Sequence, residues 1–265
     1  MLKTEGEQFH IKARPGDIGR YCLLPGDPAR SEQIAAYLED PIHLVTNREF
    51  NIWNGTIDGE RVTVCSTGIG GPSTAIAAEE LVACGADTLI RVGTCGGIAL
   101  PVRSGDLVIA SGAVRQDGTS REYAPPEFPA VANTDVLFVL REAARRLGLR
   151  AHCGVVQSKD SFYGQHSPAS MATAGELREK WEAWKALGVL CSEMEAATLF
   201  TVSATRHVRA GAVFHVIWNQ ERALAGMDTD AEESHDTSSA IRTAIEAIRT
   251  LIREDATAKK AKPEA

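Results

Sequence analysis

VTVCSTGIGGPSTAIAAEEL at 62–81 and TLIRVGTCGGI at 88–98 are two glycine-rich loops about one strand–helix unit apart. Each follows an apolar, β-branched run, the mark of a buried strand reaching its end. The second differs from the first in carrying Arg91 just ahead of its glycines. Glycine lets the backbone come close to a ligand, and free N–H groups at such a turn favour an anion. A guanidinium beside them adds a planar fork that suits phosphate. The pair therefore points to a small phosphorylated or phosphate-using substrate.

Outward from these loops the chain alternates strands with helices. YCLLPG at 21–26 reads as a strand closed by Pro25-Gly26-Asp27-Pro28, and ARSEQIAAYL after it as a helix. REFNIWNGTIDGERVTVCS reads as a hairpin, because Asp58-Gly59 is a strong turn dipeptide between alternating runs. A helix ending at Gly85 lies between the two glycine loops, and DLVIASGAVR beyond them is a strand. An amphipathic helix follows at 134–148, then AHCGVVQSKDSFY, a strand running into a loop. The later elements are a helix around EKWEAWKAL, a short strand VLCSEM, the helix EAATLFTVSATRH and the strand AGAVFHVIWN. SAIRTAIEAIRTLIRE has the i, i+3, i+4, i+7 spacing of a closing helix. Such alternation predicts a mostly parallel sheet covered on both faces. Ligands then bind at the carboxyl ends of strands, where the glycine loops, Arg91, Phe162 and Glu193–Glu195 fall. Residues 1–255 read as one domain, and the polar 256–265 as a disordered tail. The acidic stretch from Asp228 to Asp236 reads equally as a mobile lid or a solvated loop.

Bulk properties narrow the function class. At 265 residues the chain can bury a sizeable core, and its 44% hydrophobic content is ordinary for a globular protein. A net charge of −7 argues against nucleic-acid binding. The six cysteines are scattered in apolar stretches without zinc-like spacing, the pattern of reduced thiols in a cytoplasmic protein. No apolar signal core opens the chain, and no run approaches a membrane span.

Several ligand classes fail on their own requirements. Gly68–Ser73 fits a dinucleotide fingerprint only loosely, with Pro72 inside it, and the next strand ends Arg-Val-Gly where an acidic residue is needed. The phosphate loop GxxxxGK[ST] and the hydrolase elbow GxSxG are absent, and the seven histidines are dispersed. Taken alone, Arg30, Arg48 and Arg91 would each be solvated cations. Pro25-Gly26-Asp27-Pro28-x-Arg30, however, puts a guanidinium beside a strand-to-helix turn, where an anion meets a helix start. Glu193-Met194-Glu195 would ordinarily be a charged helix start. Its place between an apolar strand and an apolar helix puts the carboxylates in a cleft instead, where they suit sugar hydroxyls.

PGDPAR at 25–30, TNREF around Arg48, CSTGIGGPSTAIAAEEL at 65–81, RVGTCGG at 91–97 and SEMEAATL at 192–199 occur in order. Together they resemble the uridine phosphorylase branch of the hexameric nucleoside phosphorylases, a likeness running from about residue 9 to residue 252. The resemblance implies a three-layer α/β/α sandwich around a central mixed, mostly parallel sheet, assembled as a trimer of dimers. It implies cleavage of a ribonucleoside by inorganic phosphate to the free base and ribose 1-phosphate, with no organic cofactor. Carried over residue by residue, Gly26, Arg30, Arg91 and Thr94 match the phosphate site, and Arg48 matches a phosphate-contacting arginine from the neighbouring subunit. His10 matches a histidine reaching across that interface to the ribose 5′ hydroxyl. Met194 and Glu195 match ribose contacts, with Glu193 beside them, and Phe162 matches an aromatic against the base. Glu49, Ile69 and Ser73 match a potassium-type cation site at the dimer interface.

The base end departs from the family pattern. A glutamine and an arginine two positions apart usually read uracil; here Gln165 is present, but Ser167 stands where the arginine is expected. Ser192 replaces a tyrosine usual before Glu-Met-Glu. Lys159 and His166, on either side of Phe162, are then the candidate donors to the leaving uracil. The rival readings are a purine nucleoside phosphorylase, a hydrolytic nucleosidase and a non-catalytic nucleoside binder. Purine members place an aspartate after the strand that here ends Ile217-Trp218-Asn219 without one, a nucleosidase has no use for three phosphate-directed arginines, and a dead site would have lost Arg91 or Glu195.

Overall fold

Strand β5 (Thr88–Gly97) organises the molecule, because it pairs with three neighbours. We describe residues 6–227 and 233–261 from a computed structural model of the chain. Ahead of β5 come β1 (Tyr21–Leu24), α1 (Pro28–Ala35), β2 (Glu39–Asn47), β3 (Phe50–Ile57), β4 (Glu60–Cys65) and α2 (Gly71–Ala83). After it come β6 (Leu107–Gln116), α3 (Thr119–Tyr123), β7 (Ala130–Val131), α4 (Thr134–Arg146), β8 (Ala151–Lys159) and α5 (Phe162–His166). A 3₁₀ turn at Pro168–Ser170 leads to α6 (Ala174–Ala186), β9 (Cys191–Glu193), α7 (Ala196–Arg206), β10 (Arg209–Asn219), α8 (Gln220–Leu224) and α9 (Ser238–Ala261).

The strands form one mixed ten-stranded sheet in the order β10-β6-β8-β9-β5-β1-β4-β3-β2, with β7 paired to β6. Its long inner pairings, β5 with β10 and β6 with β8, are parallel. Because β10 bonds to both β6 and β5, the strands β5-β10-β6-β8-β9 close on themselves, while β1-β4-β3-β2 runs on as an open wing. This closure is not visible in sequence pattern, which registers only the faces of strands and not which strands meet.

Alternate residues of β5 serve opposite faces, as the pleat requires. Leu89 packs into a core built with α2 and α7, including Ala78, Leu81 and Phe200. Ile90 and Val92 pack into a second core with α1, α4 and α9, including Ile34, Leu140 and Ile248. The α/β architecture with helices on both faces is thus the expected one. The Asp58-Gly59 hairpin is also present, both residues at positive φ (51° and 80°), as the tight turn between β3 and β4 demands.

Two differences from the sequence expectation have physical causes. Strand β2 lies at the sheet edge with most of its side chains exposed, so it shows no buried alternation, and Pro41 is tolerated at such an edge. Helix α9 continues to Ala261, where 256–265 reads as disordered; its Ala- and Lys-rich end favours helix without needing burial. Residues 262–265 of that tail lie outside the described residues, as do 228–232 of the acidic stretch. The described remainder of that stretch docks on the end of β10. There Ser234 N–H donates to Ile217 O at 2.9 Å, and His215 Nε2 lies 3.0 Å from Ser234 Oγ.

Candidate active site

A cavity of about 700 Å³ opens at the carboxyl ends of β1, β5 and β8. It gathers residues far apart in sequence: Gly26, Arg30, Arg91, Thr94, Lys159, Phe162, Gln165, His166, Glu193, Met194 and Glu195 all line it. Ser192, Ile217 and Trp218 line it as well.

The backbone makes the anion end close-fitting. At Gly26 a Cβ would stand 3.2 Å from Arg91 Nη2 and 3.1 Å from Gly68 O, so any side chain there would crowd the turn against the guanidinium. Gly68 and Gly70 both take positive φ (67° and 90°), which turns the Gly70 N–H toward Glu195. Asp27 accepts from Ala29 N–H at 2.9 Å and starts α1, which carries Arg30 to the cavity wall. Arg91 is 5% exposed; it donates from Nη2 to Glu195 Oε2 at 2.6 Å and from Nη1 to Thr67 Oγ1 at 3.1 Å. The Arg30 guanidinium has no hydrogen-bond partner among the described residues. Burial pushes its pKa down, Asp27 opposes that, and the charge of Arg91 pushes it down further. Two cations that repel across one cavity favour a shared anion.

Glu195 sits at the N-cap of α7 and is almost fully buried. One oxygen accepts from Gly70 N–H at 2.7 Å and the other from Arg91. Each carboxylate oxygen retains a further lone pair, so ribose hydroxyls remain acceptable donors. Glu193, read from sequence as a ribose contact, is held otherwise. Its Oε2 accepts from Glu195 N–H at 2.8 Å and Ala196 N–H at 2.9 Å, and its Oε1 accepts from the Ser158 hydroxyl. It fixes the first turn of α7 and so positions Glu195. Burial, with the neighbouring Glu195 charge, pushes the Glu193 pKa up to about 7.

The base end is a chain of polar groups. Lys159 Nζ donates to Ser192 Oγ at 2.6 Å, and Ser192 Oγ donates to Gln165 Oε1 at 2.6 Å. Burial lowers the Lys159 pKa against the pull of Glu193. Its ammonium lies 5.9 Å from the Phe162 ring centroid, and the His166 ring lies 4.4 Å from the same centroid. Burial and then the Lys159 charge push the His166 pKa down. A bulge in β10 between Val216 and Trp218 brings Ile217 and Trp218 to the wall, as bulges near sites often re-aim side chains. Asn219 is used elsewhere: it donates to Ala99 O and Val102 O and caps α8 through Oδ1.

The chain belongs to the phosphorylase superfamily. The family's model matches residues 20–253. Among its curated relatives, the uridine phosphorylase of Treponema pallidum is 51% identical over 94% of this chain and 95% of its own. The uridine phosphorylase of Klebsiella aerogenes is 41% identical over 94% of this chain and 100% of its own. A guanosine phosphorylase of Halorubrum lacusprofundi is 36% identical over 92% of this chain and 99% of its own. In this chain the residues expected from sequence to meet phosphate, ribose and base, from Gly26 to Glu195, share a single cavity.

Among the expected residues, Arg48, His10, Glu49 and Ser73 stand outside that cavity, while Ile69 lies on its wall. Arg48 is exposed at the β2–β3 turn with φ +55°. His10 is tied to α2, its Nδ1 2.6 Å from Glu80 Oε1, while Phe9 beside it is 64% exposed. Glu49 and Ser73 meet at Gly68, where a Cβ would stand 2.9 Å from Glu49 Cγ and 3.4 Å from Ser73 Oγ. Ile69 next to them is 78% exposed, and Ser73 Oγ donates to its carbonyl at 3.3 Å. Sequence reasoning missed Ser158 and Thr67. Each is a buried polar residue at the end of an apolar strand, a signal that could have found them.

Proposed function

We propose that the chain catalyses phosphorolysis of uridine to uracil and ribose 1-phosphate. The observation that carries the reading is the meeting of Arg30 and Arg91 with the Lys159–Ser192–Gln165 chain around one cavity, with Glu195 bonded to Arg91. Phosphate held by Gly26, Arg30, Arg91 and Thr94 attacks C1′ from the face opposite the base. The C1′–O bond forms with inversion as the C1′–N1 bond breaks, and the electron pair leaves on uracil. Positioning of the dianion and neutralisation of the departing base supply the rate. Lys159 and His166 provide donors to the base, Phe162 and Gln165 bind it, and Glu195 and Met194 hold the ribose. Glu193 acts by fixing α7.

A purine substrate is disfavoured on a specific observation. Asn219, which ends the strand after which purine members place an aspartate, has its side chain engaged by Ala99, Val102 and α8, and Trp218 lines the wall.

We read the assembly as a homo-oligomer, a trimer of dimers, in which Arg48 and His10 complete the neighbouring subunit's cavity. The exposure of Arg48, the half-buried place of His10 and the exclusion of both from their own cavity support this. Glu49, Ile69 and Ser73 would hold a potassium ion at the same boundary. Residues 1–255 act as one phosphorylase domain. Free cysteines throughout support a cytoplasmic setting, and among the described residues no helix is long and apolar enough to cross a membrane.

The test is a panel of uridine, thymidine, inosine and adenosine, each assayed with and without phosphate. Phosphate-dependent release of uracil from uridine is the expected result. Cleavage of inosine alone would overturn the base assignment.

A further inference from the structure

Lysine has only donors, so Ser192 is the acceptor where the two meet. Lys159 Nζ donates to Ser192 Oγ at 2.6 Å, and the Ser192 hydroxyl donates onward to Gln165 Oε1 at 2.6 Å. This engages the oxygen of the Gln165 amide. Its nitrogen has no protein partner among the described residues, and the residue lines the cavity. Two of the three protons on Lys159 Nζ are likewise left for the cavity. Ser192 is 2% exposed, too buried for water to replace its hydroxyl freely.

We propose that Ser192 is a specificity-determining positioning residue. By accepting from Lys159 and donating to Gln165, it turns the amide nitrogen of Gln165 toward the base. Lys159 and Gln165 then both present donors at that point of the wall. This arrangement selects a pyrimidine with carbonyl oxygens at that edge, and it rejects one that carries an exocyclic amine there, because two donors would face each other. The inference rests on uridine being the substrate.

The test compares kcat/KM for uridine and cytidine, with cytidine also scored as a competitive inhibitor, in the wild-type enzyme and in Ser192→Ala, Ser192→Thr and Gln165→Glu. Loss of one orienting hydrogen bond corresponds to a roughly tenfold fall in the uridine-to-cytidine ratio for Ser192→Ala, mainly through KM for uridine. Ser192→Thr keeps the hydroxyl and restores the ratio to within about twofold, which a purely structural defect would not do. Gln165→Glu exchanges the inward donor for an acceptor with little change of shape, so it lowers uridine efficiency and moves preference toward cytidine. This variant also decides the matter if Ser192→Ala fails to fold. An active Ser192→Ala enzyme with an unchanged ratio, or a Gln165→Glu enzyme with its uridine preference intact, overturns the proposal. A wild-type enzyme inactive on uridine would instead overturn the function, a distinguishable result.

Discussion

Glu195 and Arg91 form a buried ion pair at 2.6 Å, and Glu195 is also bonded through its other oxygen to the glycine loop at Gly70. The group proposed to hold ribose and the group proposed to hold phosphate are therefore one electrostatic unit. Glu195→Ala leaves Arg91 as a buried, unpaired cation, which destabilises by about 3–5 kcal/mol. Inorganic phosphate should return part of that by supplying the missing anion. Thermal melting is expected to show a lower Tm for Glu195→Ala and a larger phosphate-induced rise than in wild type. Equal rises in both would mean that phosphate does not meet Arg91.

Arg48 lies outside its own cavity, and Arg91 lies inside it. If each dimer exchanges Arg48, then Arg48→Ala and Arg91→Ala subunits complement each other. Refolding the two inactive variants together in equal amounts gives hybrid dimers, each with one intact site, and restores about one quarter of wild-type activity. No recovery on mixing would place Arg48 in its own subunit's chemistry or in none.

Lys159 donates best while protonated, and burial lowers its pKa below the ordinary lysine range. Its charge is therefore lost at a lower pH than for an exposed lysine, and kcat/KM for uridine should fall as pH rises through that point. Lys159→Arg keeps the charge to much higher pH. The alkaline limb is expected to move upward in that variant, as read from pH–rate profiles run side by side. An unmoved limb would assign it to another group.

Glu193 has a folded-state pKa of about 7 against an ordinary value of 4.5. Between those pH values the folded carboxyl keeps a proton that the unfolded chain has released, so stability is lost as pH rises across the window. Glu193→Gln retains an acceptor for the α7 N–H groups and removes the ionisation. Its Tm advantage over wild type should be small near pH 5 and larger near pH 8, by an amount on the order of a few kcal/mol in stability. KM for uridine should stay within about twofold of wild type, since a positioning group has only an indirect effect. A pH-independent difference in Tm would contradict the raised pKa.

The convergence of the glycine loops with Arg30 and Arg91 was legible in sequence because its determinants are local. Pro25-Gly26-Asp27-Pro28 and the loop at Gly68–Gly71 specify their own backbone geometry, and Arg91 stands on the strand that ends beside them. The base end was legible only as residue types. Lys159, Gln165 and Ser192 lie on three elements, and their hydrogen-bond order depends on β8 and β9 pairing in the register that sets Ser158 beside Glu193. Sequence also assigned Glu193 to ribose, because a Glu-Met-Glu run does not reveal which carboxylate turns back to cap α7. The closure of β10 onto β5 was hidden for the same reason: strand pairing between distant segments leaves no periodic trace in either one.

The most direct measurement counts products. Purified enzyme is supplied with uridine, with and without inorganic phosphate, and uracil, ribose 1-phosphate and free ribose are quantified together. The account predicts one ribose 1-phosphate for every uracil released and no release without phosphate. Uracil accompanied by free ribose in the absence of phosphate would contradict it.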